Sequence, residues 1–142
     1  LIASVSFFVL QGMFALDSKI RENRFAKANQ GASLQSNFGL ENTSIGIRYA
    51  GKSIGLALAA YAGLSSAAFQ NGKMVENLFT LVMHCGVMWL LLYCLTYIIK
   101  IISMPNIDTA LEVDHQDNIG IACIEFAVFC AIGYLLISMF SI

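Results

Sequence analysis

Residues 47–69 read IRYAGKSIGLALAAYAGLSSAAF. The run is apolar, yet Arg48 and Lys52 stand near its front. A small residue recurs at every fourth position: Gly51, Gly55, Ala59, Gly63 and Ala67. Four residues are close to one helical turn, so a helix carries all five along one line. A strip without bulk lets two backbones come close enough for dispersion to hold them, which matters where lipid supplies no hydrophobic drive between helices. Two uses of the strip follow: packing against the chain's own helices, or a surface for a second copy or another subunit.

The composition around this run agrees with a lipid setting. Of 142 residues, 58% are hydrophobic and 12% are charged, against about 45–50% and about 25% in soluble domains. Mean hydropathy is +0.72. A single proline leaves long helices uninterrupted. Net charge is −1, and no basic stripe with interleaved aromatics occurs, so nucleic acid is not an expected partner. Cys85, Cys94, Cys123 and Cys130 all lie in apolar runs without a CxxC pair. They read as small buried hydrophobes.

Four apolar segments emerge, at about 2–16, 44–69, 77–102 and 119–141. The last three reach the roughly 20 residues needed to cross a hydrocarbon core. Helices satisfy every backbone polar group within one segment, as lipid demands. The first segment lacks a basic front and a small-residue cleavage site, so it reads as part of a transmembrane helix rather than a signal peptide. The expected fold is an all-α integral membrane protein of four helices in two hairpins, forming a single domain over 1–142.

The connections set the orientation. Residues 17–43 form a long polar stretch with Lys19, Arg21, Arg24 and Lys27, and SKIRENRFAKA within it carries a brief amphipathic pattern. Residues 70–77, QNGKMVEN, form a tight turn with Lys73 alone. The third connection opens at Lys100 and then turns acidic. Loops 17–43 and 103–118 share a side and hold the excess of Lys and Arg, which places them in the cytoplasm with both termini outward. A short internal echo links the hairpins: ENTSIGI opens the second segment and HQDNIGI the fourth. Ile45-Gly46-Ile47 and Ile119-Gly120-Ile121 stand 74 residues apart, so the two hairpins share one orientation, a known plan for membrane bundles.

The stretches NTSIGIRYAGKSIGLALAAYAGLSSA (42–67) and DNIGIACIEFAVFCAIGYLLI (117–137), joined through the tight turn, resemble the bacterial inner-membrane family called domain of unknown function 350. The resemblance covers about residues 40–142. It implies two copies of a two-helix unit, each with an Asn-bearing start to its second helix. The long basic first loop and a Glu in the last helix depart from that pattern. The family label implies an integral membrane protein and no particular chemistry.

Arg48, Lys52 and Glu125 share one depth in that register. An ionised group in the bilayer is costly unless paired, hydrated or able to snorkel. Arg48 reaches the interface most easily, and Glu125, with its short side chain, should face the bundle and pair with Lys52 or Arg48. Such a pair either fixes register or forms an ion or proton site; a Glu125 kept neutral by burial is the third reading. His84 in VMHCGVMW is a lone polar residue toward the opposite face, expected to be hydrogen-bonded packing rather than a ligand. His115 with Glu112, Asp114 and Asp117 reads as a solvated loop whose Asp117 or Asn118 caps the last helix. Tyr93 and Tyr97 suit the interfacial belt, and Trp89 packs deeper. No nucleophile elbow, phosphate-cradling glycine loop or HExxH occurs. The sequence therefore implies no metal, no cofactor and no catalytic residue. The expected role is a non-enzymatic inner-membrane subunit in the assembly or structure of a complex, as a homo-oligomer or with other subunits. The alternatives are a small transporter or ion-conducting oligomer using Lys52 and Glu125, and an accessory subunit that only anchors its partner.

Overall fold

Long stretches without proline, rich in Leu, Ile and Ala, have little choice but to coil. In the computed structural model, which describes residues 2–37 and 42–140, every regular element among them is a helix. The order is α1 (Ile2–Ala28), α2 (Leu34–Asn37), α3 (Thr43–Ser66), α4 (Met74–Ser103), α5 (Thr109–Asp114) and α6 (Ile119–Phe140). Residues 38–41 of the expected first loop, and position 141 at the end of the expected last helix, lie outside the described residues.

The central helix is α3. A Cβ added at Gly51 would sit 2.4 Å from Phe126 Cα, and one at Gly55 would sit 2.8 Å from the Phe129 carbonyl oxygen. Gly133 of α6 answers from the other side, where a Cβ would meet Leu58. These contacts climb both helices together, so α3 and α6 run parallel. Gly63 instead lies against the backbone of Cys85 on the antiparallel α4. Each four-residue step overshoots a turn by roughly 40°, so the strip rotates by roughly 120° between Gly51 and Gly63 and meets two neighbours in succession. Ala59 is fully buried between them, and Ala67 is the C-cap residue of α3. Leu56, Ala59, Ala62, Met88, Leu92, Phe129, Ile132 and Leu136 form the core that results.

The tight turn between α3 and α4 is closed by its own polar groups. Asn77 accepts from the Gln70 backbone N–H at 2.8 Å and donates to the Gln70 carbonyl at 2.7 Å. Gly72 takes the left-handed φ of +80° that the turn requires.

The first helix differs from expectation. It was expected over 2–16 and followed by a loop from 17, but α1 continues without a break to Ala28. The change to polar side chains at Asp17 does not end the helix. Asp17 and Arg21 pair one turn apart at 2.8 Å, and Phe25 is buried with Leu34, Ile45, Tyr49, Val113 and Ala122. Gln30 and Gly31, at φ of +54° and +87°, then end the helix, with the Gly31 N–H donating to the Ala26 carbonyl at 2.7 Å. The other long helices match their expected segments to within about three residues, the usual scatter of boundaries.

Among the described residues, two helices, α4 and α6, are long and apolar enough to cross a membrane by length and composition. Only 22% and 33% of the residues in their apolar windows are buried within the protein, so both helices keep apolar surface outside the core. The cysteines divide accordingly. Cys85 is buried as expected, but Cys94 and Cys123 stand on outer faces and Cys130 is half-buried. An apolar run covers all sides of a helix, so it cannot tell an inward cysteine from an outward one.

Candidate functional site

The starts of α3 and α6 meet at one end of the bundle and are stitched to α5. Asn42 caps α3 by accepting from the Ile45 N–H at 3.0 Å, and Asn118 accepts from the Ile121 N–H at 3.2 Å. The two caps are 76 residues apart while the Ile-Gly-Ile triplets are 74 apart, so the triplets are not equivalent relative to their caps. The Asn42 amide also donates to the carbonyls of Val113 and Asp114, and the Ser44 hydroxyl donates to Val113. Asp117 caps the neighbouring helix instead of its own, accepting from the Ser44 N–H at 2.8 Å. Glu112 accepts from the Asn118 amide at 2.7 Å. The acidic loop around His115 thus has its carboxylates engaged by protein groups. Burial pushes the Asp114 carboxyl above its ordinary value, and the Arg48 guanidinium opposes that shift.

Below this seam lies a buried charge cluster. Arg48, on α3, directs three nitrogens to three acceptors: Nε to Glu125, Nη1 to Asp114 at 2.7 Å, and Nη2 to the Thr109 carbonyl. The planar guanidinium suits such a spread, with five donors in a rigid fork. Lys100, at the end of α4, donates to the second oxygen of Glu125 and to the Thr109 hydroxyl at 2.8 Å. Arg48 and Glu125 are only 5% and 1% exposed. Two cations and two carboxylates cancel formally, and together they tie α3, α4, α5 and α6.

Sequence reasoning placed Arg48, Lys52 and Glu125 at one depth, and the structure brings Arg48 to Glu125. Lys52 is the correction. Its Nζ makes no ion pair or hydrogen bond among the described residues and rests 4.8 Å from the Tyr49 ring centroid and 5.9 Å from that of Phe129. The rotation of α3 turns Lys52 toward α1, while Lys100 fills the place expected for it. Lys100 and Asp114 were missed because each looks like an ordinary loop-edge charge in sequence. A buried Glu needing more than one donor was the available signal.

A second polar group attaches α1. Asp17, 1% exposed, accepts from the Tyr93 hydroxyl at 2.6 Å and the Trp89 indole N–H at 3.4 Å and pairs with Arg21. Arg21 also donates to the Ser53 hydroxyl at 3.2 Å. Asp17 looked like the first residue of a loop, and Tyr93 and Trp89 like belt and packing residues, so this constellation was not foreseen. A cavity of about 220 Å³ opens beside it between α1, α3 and α4. His84 lies toward the other end of α4, half-buried, with Nδ1 2.8 Å from the Thr80 carbonyl of its own helix.

The Domain of Unknown Function (DUF350) family model matches residues 1–140, and the chain belongs to that family. The match includes α1 as well as the region from residue 40 onward that carried the resemblance. No curated protein and no solved structure matches the chain.

Proposed function

We propose that this member of the DUF350 family is a non-enzymatic, multi-pass subunit of the bacterial inner membrane, with α1, α3, α4 and α6 as four spans in two parallel hairpins. The outward apolar surface of α4 and α6 supports the membrane setting, and the parallel course of α3 and α6 with matching Asn caps supports the repeat. Lys19, Arg21, Arg24 and Lys27 in 17–43, with Lys100 just before 103–118, against Lys73 alone in the tight turn, favour a cytoplasmic position for those two segments.

The role proposed is structural: the chain serves in the assembly of a membrane complex, as a homo-oligomer or with other subunits. The carrying observation is the charge cluster, in which both oxygens of Glu125 and three nitrogens of Arg48 are engaged across four helices. A group held by two cations is suited to fixing register and poorly suited to passing ions along. The glycine strip is engaged inside the protomer, so partners are expected on the outward faces of α4 and α6, which keep large apolar side chains such as Phe79, Val82 and Tyr134.

The test is extraction in mild detergent followed by native mass spectrometry, with ion flux measured in liposomes. The expected result is an assembly larger than one chain and no flux above empty liposomes. A strict monomer, or a flux removed by Glu125→Gln, overturns the reading in favour of isolated action or conduction.

A further inference from the structure

The cavity between α1, α3 and α4 is unusual in its charge. Arg21, Arg24 and Lys52 line it against a single carboxylate, Asp17, and Arg21 is already paired with that carboxylate. Lys52 and Arg24 make no ion pair among the described residues. An ammonium withdrawn from bulk water is normally paired. Two aromatic faces compensate it only in part, since cation–π contacts contribute about 0.5–2 kcal/mol against a desolvation cost of several. An anion in the cavity would supply the missing charge.

We propose that this cavity binds the phosphate of an anionic phospholipid headgroup. The volume of about 220 Å³ holds a hydrated phosphate, given that a water occupies about 30 Å³ in the liquid. The Lys52 ammonium and the Arg24 guanidinium supply charged donors, and Arg is suited to bidentate contact with phosphate oxygens. The Trp89 and Tyr93 rings form an amphipathic wall of the kind found at headgroup level. The cavity also reaches the outer surface: Leu90 in its lining is 59% exposed, and Arg24 is exposed beside it. That opening between α1 and α4 lets an acyl chain run along Leu90 while its headgroup enters. The proposal rests on the membrane reading above.

Trp89 is the only tryptophan of the chain and lines this cavity, so its fluorescence reports occupancy directly. The whole protein in dodecyl maltoside is titrated with brominated phosphatidylglycerol, brominated phosphatidylcholine, and inorganic phosphate alone. Each cation near a headgroup contributes about fivefold in affinity, so the anionic lipid should quench at an at least about fivefold lower mole fraction than the zwitterionic one. That preference should vanish in Lys52→Gln/Arg24→Gln and persist in Lys73→Gln, with Arg24→Gln alone, altered at an exposed position, reducing it. Equal quenching by both lipids overturns the proposal, as does a preference that survives the double variant. A Trp89 response to inorganic phosphate without lipid preference overturns the lipid as carrier. The membrane reading is checked separately: a chain released from membranes by alkaline wash sinks that reading, whereas a retained chain without lipid preference sinks only the site.

Discussion

Arg48 holds two carboxylates while Lys100 supports one of them, so the two cations are not equivalent. Removing one partner of a buried ion pair strands the other, at a cost of about 3–5 kcal/mol. Arg48→Ala leaves Asp114 without its cation and Glu125 with Lys100 alone, and is expected to fall in that range. Lys100 has a side chain 29% exposed, and Glu125 retains Arg48 in its absence. Lys100→Ala is therefore expected to cost less, about 1.5–3 kcal/mol, the range for a hydrogen bond to a charged group. Thermal unfolding in detergent with exposed Glu76→Ala as the reference checks the order; Lys100→Ala proving the more damaging would contradict this geometry. Arg48→Lys keeps the charge but cannot reach three divergent acceptors from one nitrogen, so it should behave closer to Arg48→Ala than to wild type. The need for a cation beside Glu125 was legible in the sequence, because a carboxylate in an apolar helix demands one. Arg48 was one of the two cations named for it; the choice of Arg48 over Lys52 and the addition of Lys100 were not legible, because the partners lie 77 and 25 residues away and depend on how the helices are turned.

At the scale of the element, the glycines separate into two kinds that look alike in sequence. A methyl group at Gly51 would collide with the Phe126 backbone, and one at Gly63 with that of Cys85. Backbone cannot move aside as a side-chain tip can, so Gly51→Ala and Gly63→Ala are expected to destabilise by about 1–3 kcal/mol. Gly46 and Gly86 have open space where a Cβ would stand. Alanine there removes the helix-interior penalty of glycine, so Gly46→Ala and Gly86→Ala should stabilise by up to about 1 kcal/mol. Unfolding midpoints of the four variants decide the matter, and Gly51→Ala and Gly63→Ala proving as stable as Gly46→Ala and Gly86→Ala, without loss against wild type, would refute the close approach of α3 to its neighbours. The periodicity revealed that α3 has a packing face. It did not reveal Gly133 as the counterpart on α6, since one glycine makes no pattern.

For the whole molecule, the interlocked seam puts the ends of α1 and α4 and the starts of α3 and α6 on one side. Under the proposed topology, Lys27→Cys and Asn106→Cys in a background lacking the native cysteines should react with an impermeant maleimide from the cytoplasmic face only. Lys73→Cys, in the tight turn, should react from the opposite face only. Labelling of Lys27→Cys and Lys73→Cys from the same face is incompatible with two membrane hairpins. The continuous α1 adds a second expectation at this scale. Because Asp17 joins α1 to Tyr93 and Trp89, Asp17→Asn should loosen α1 selectively. Faster amide exchange in α1 than in α3, α4 or α6 is the expected readout, and unchanged exchange would count against the polar attachment.

The sequence by itself determined the helical class, the long apolar segments, the small-residue face of α3 and the presence of a charge at depth that needed a partner. Each is a local property, set by composition and by a period of 3.6 residues. Tertiary structure alone decided that α1 runs on to Ala28, that Arg48 and Lys100 hold Glu125, and that Lys52 is turned toward a cavity beside α1. The physical reason is geometric. A helix offers every side chain one height and one azimuth, and sequence reports both relative to its own axis. Which groups meet depends on how neighbouring axes are rotated and placed, and close backbone contacts at Gly51, Gly55 and Gly133 set that placement.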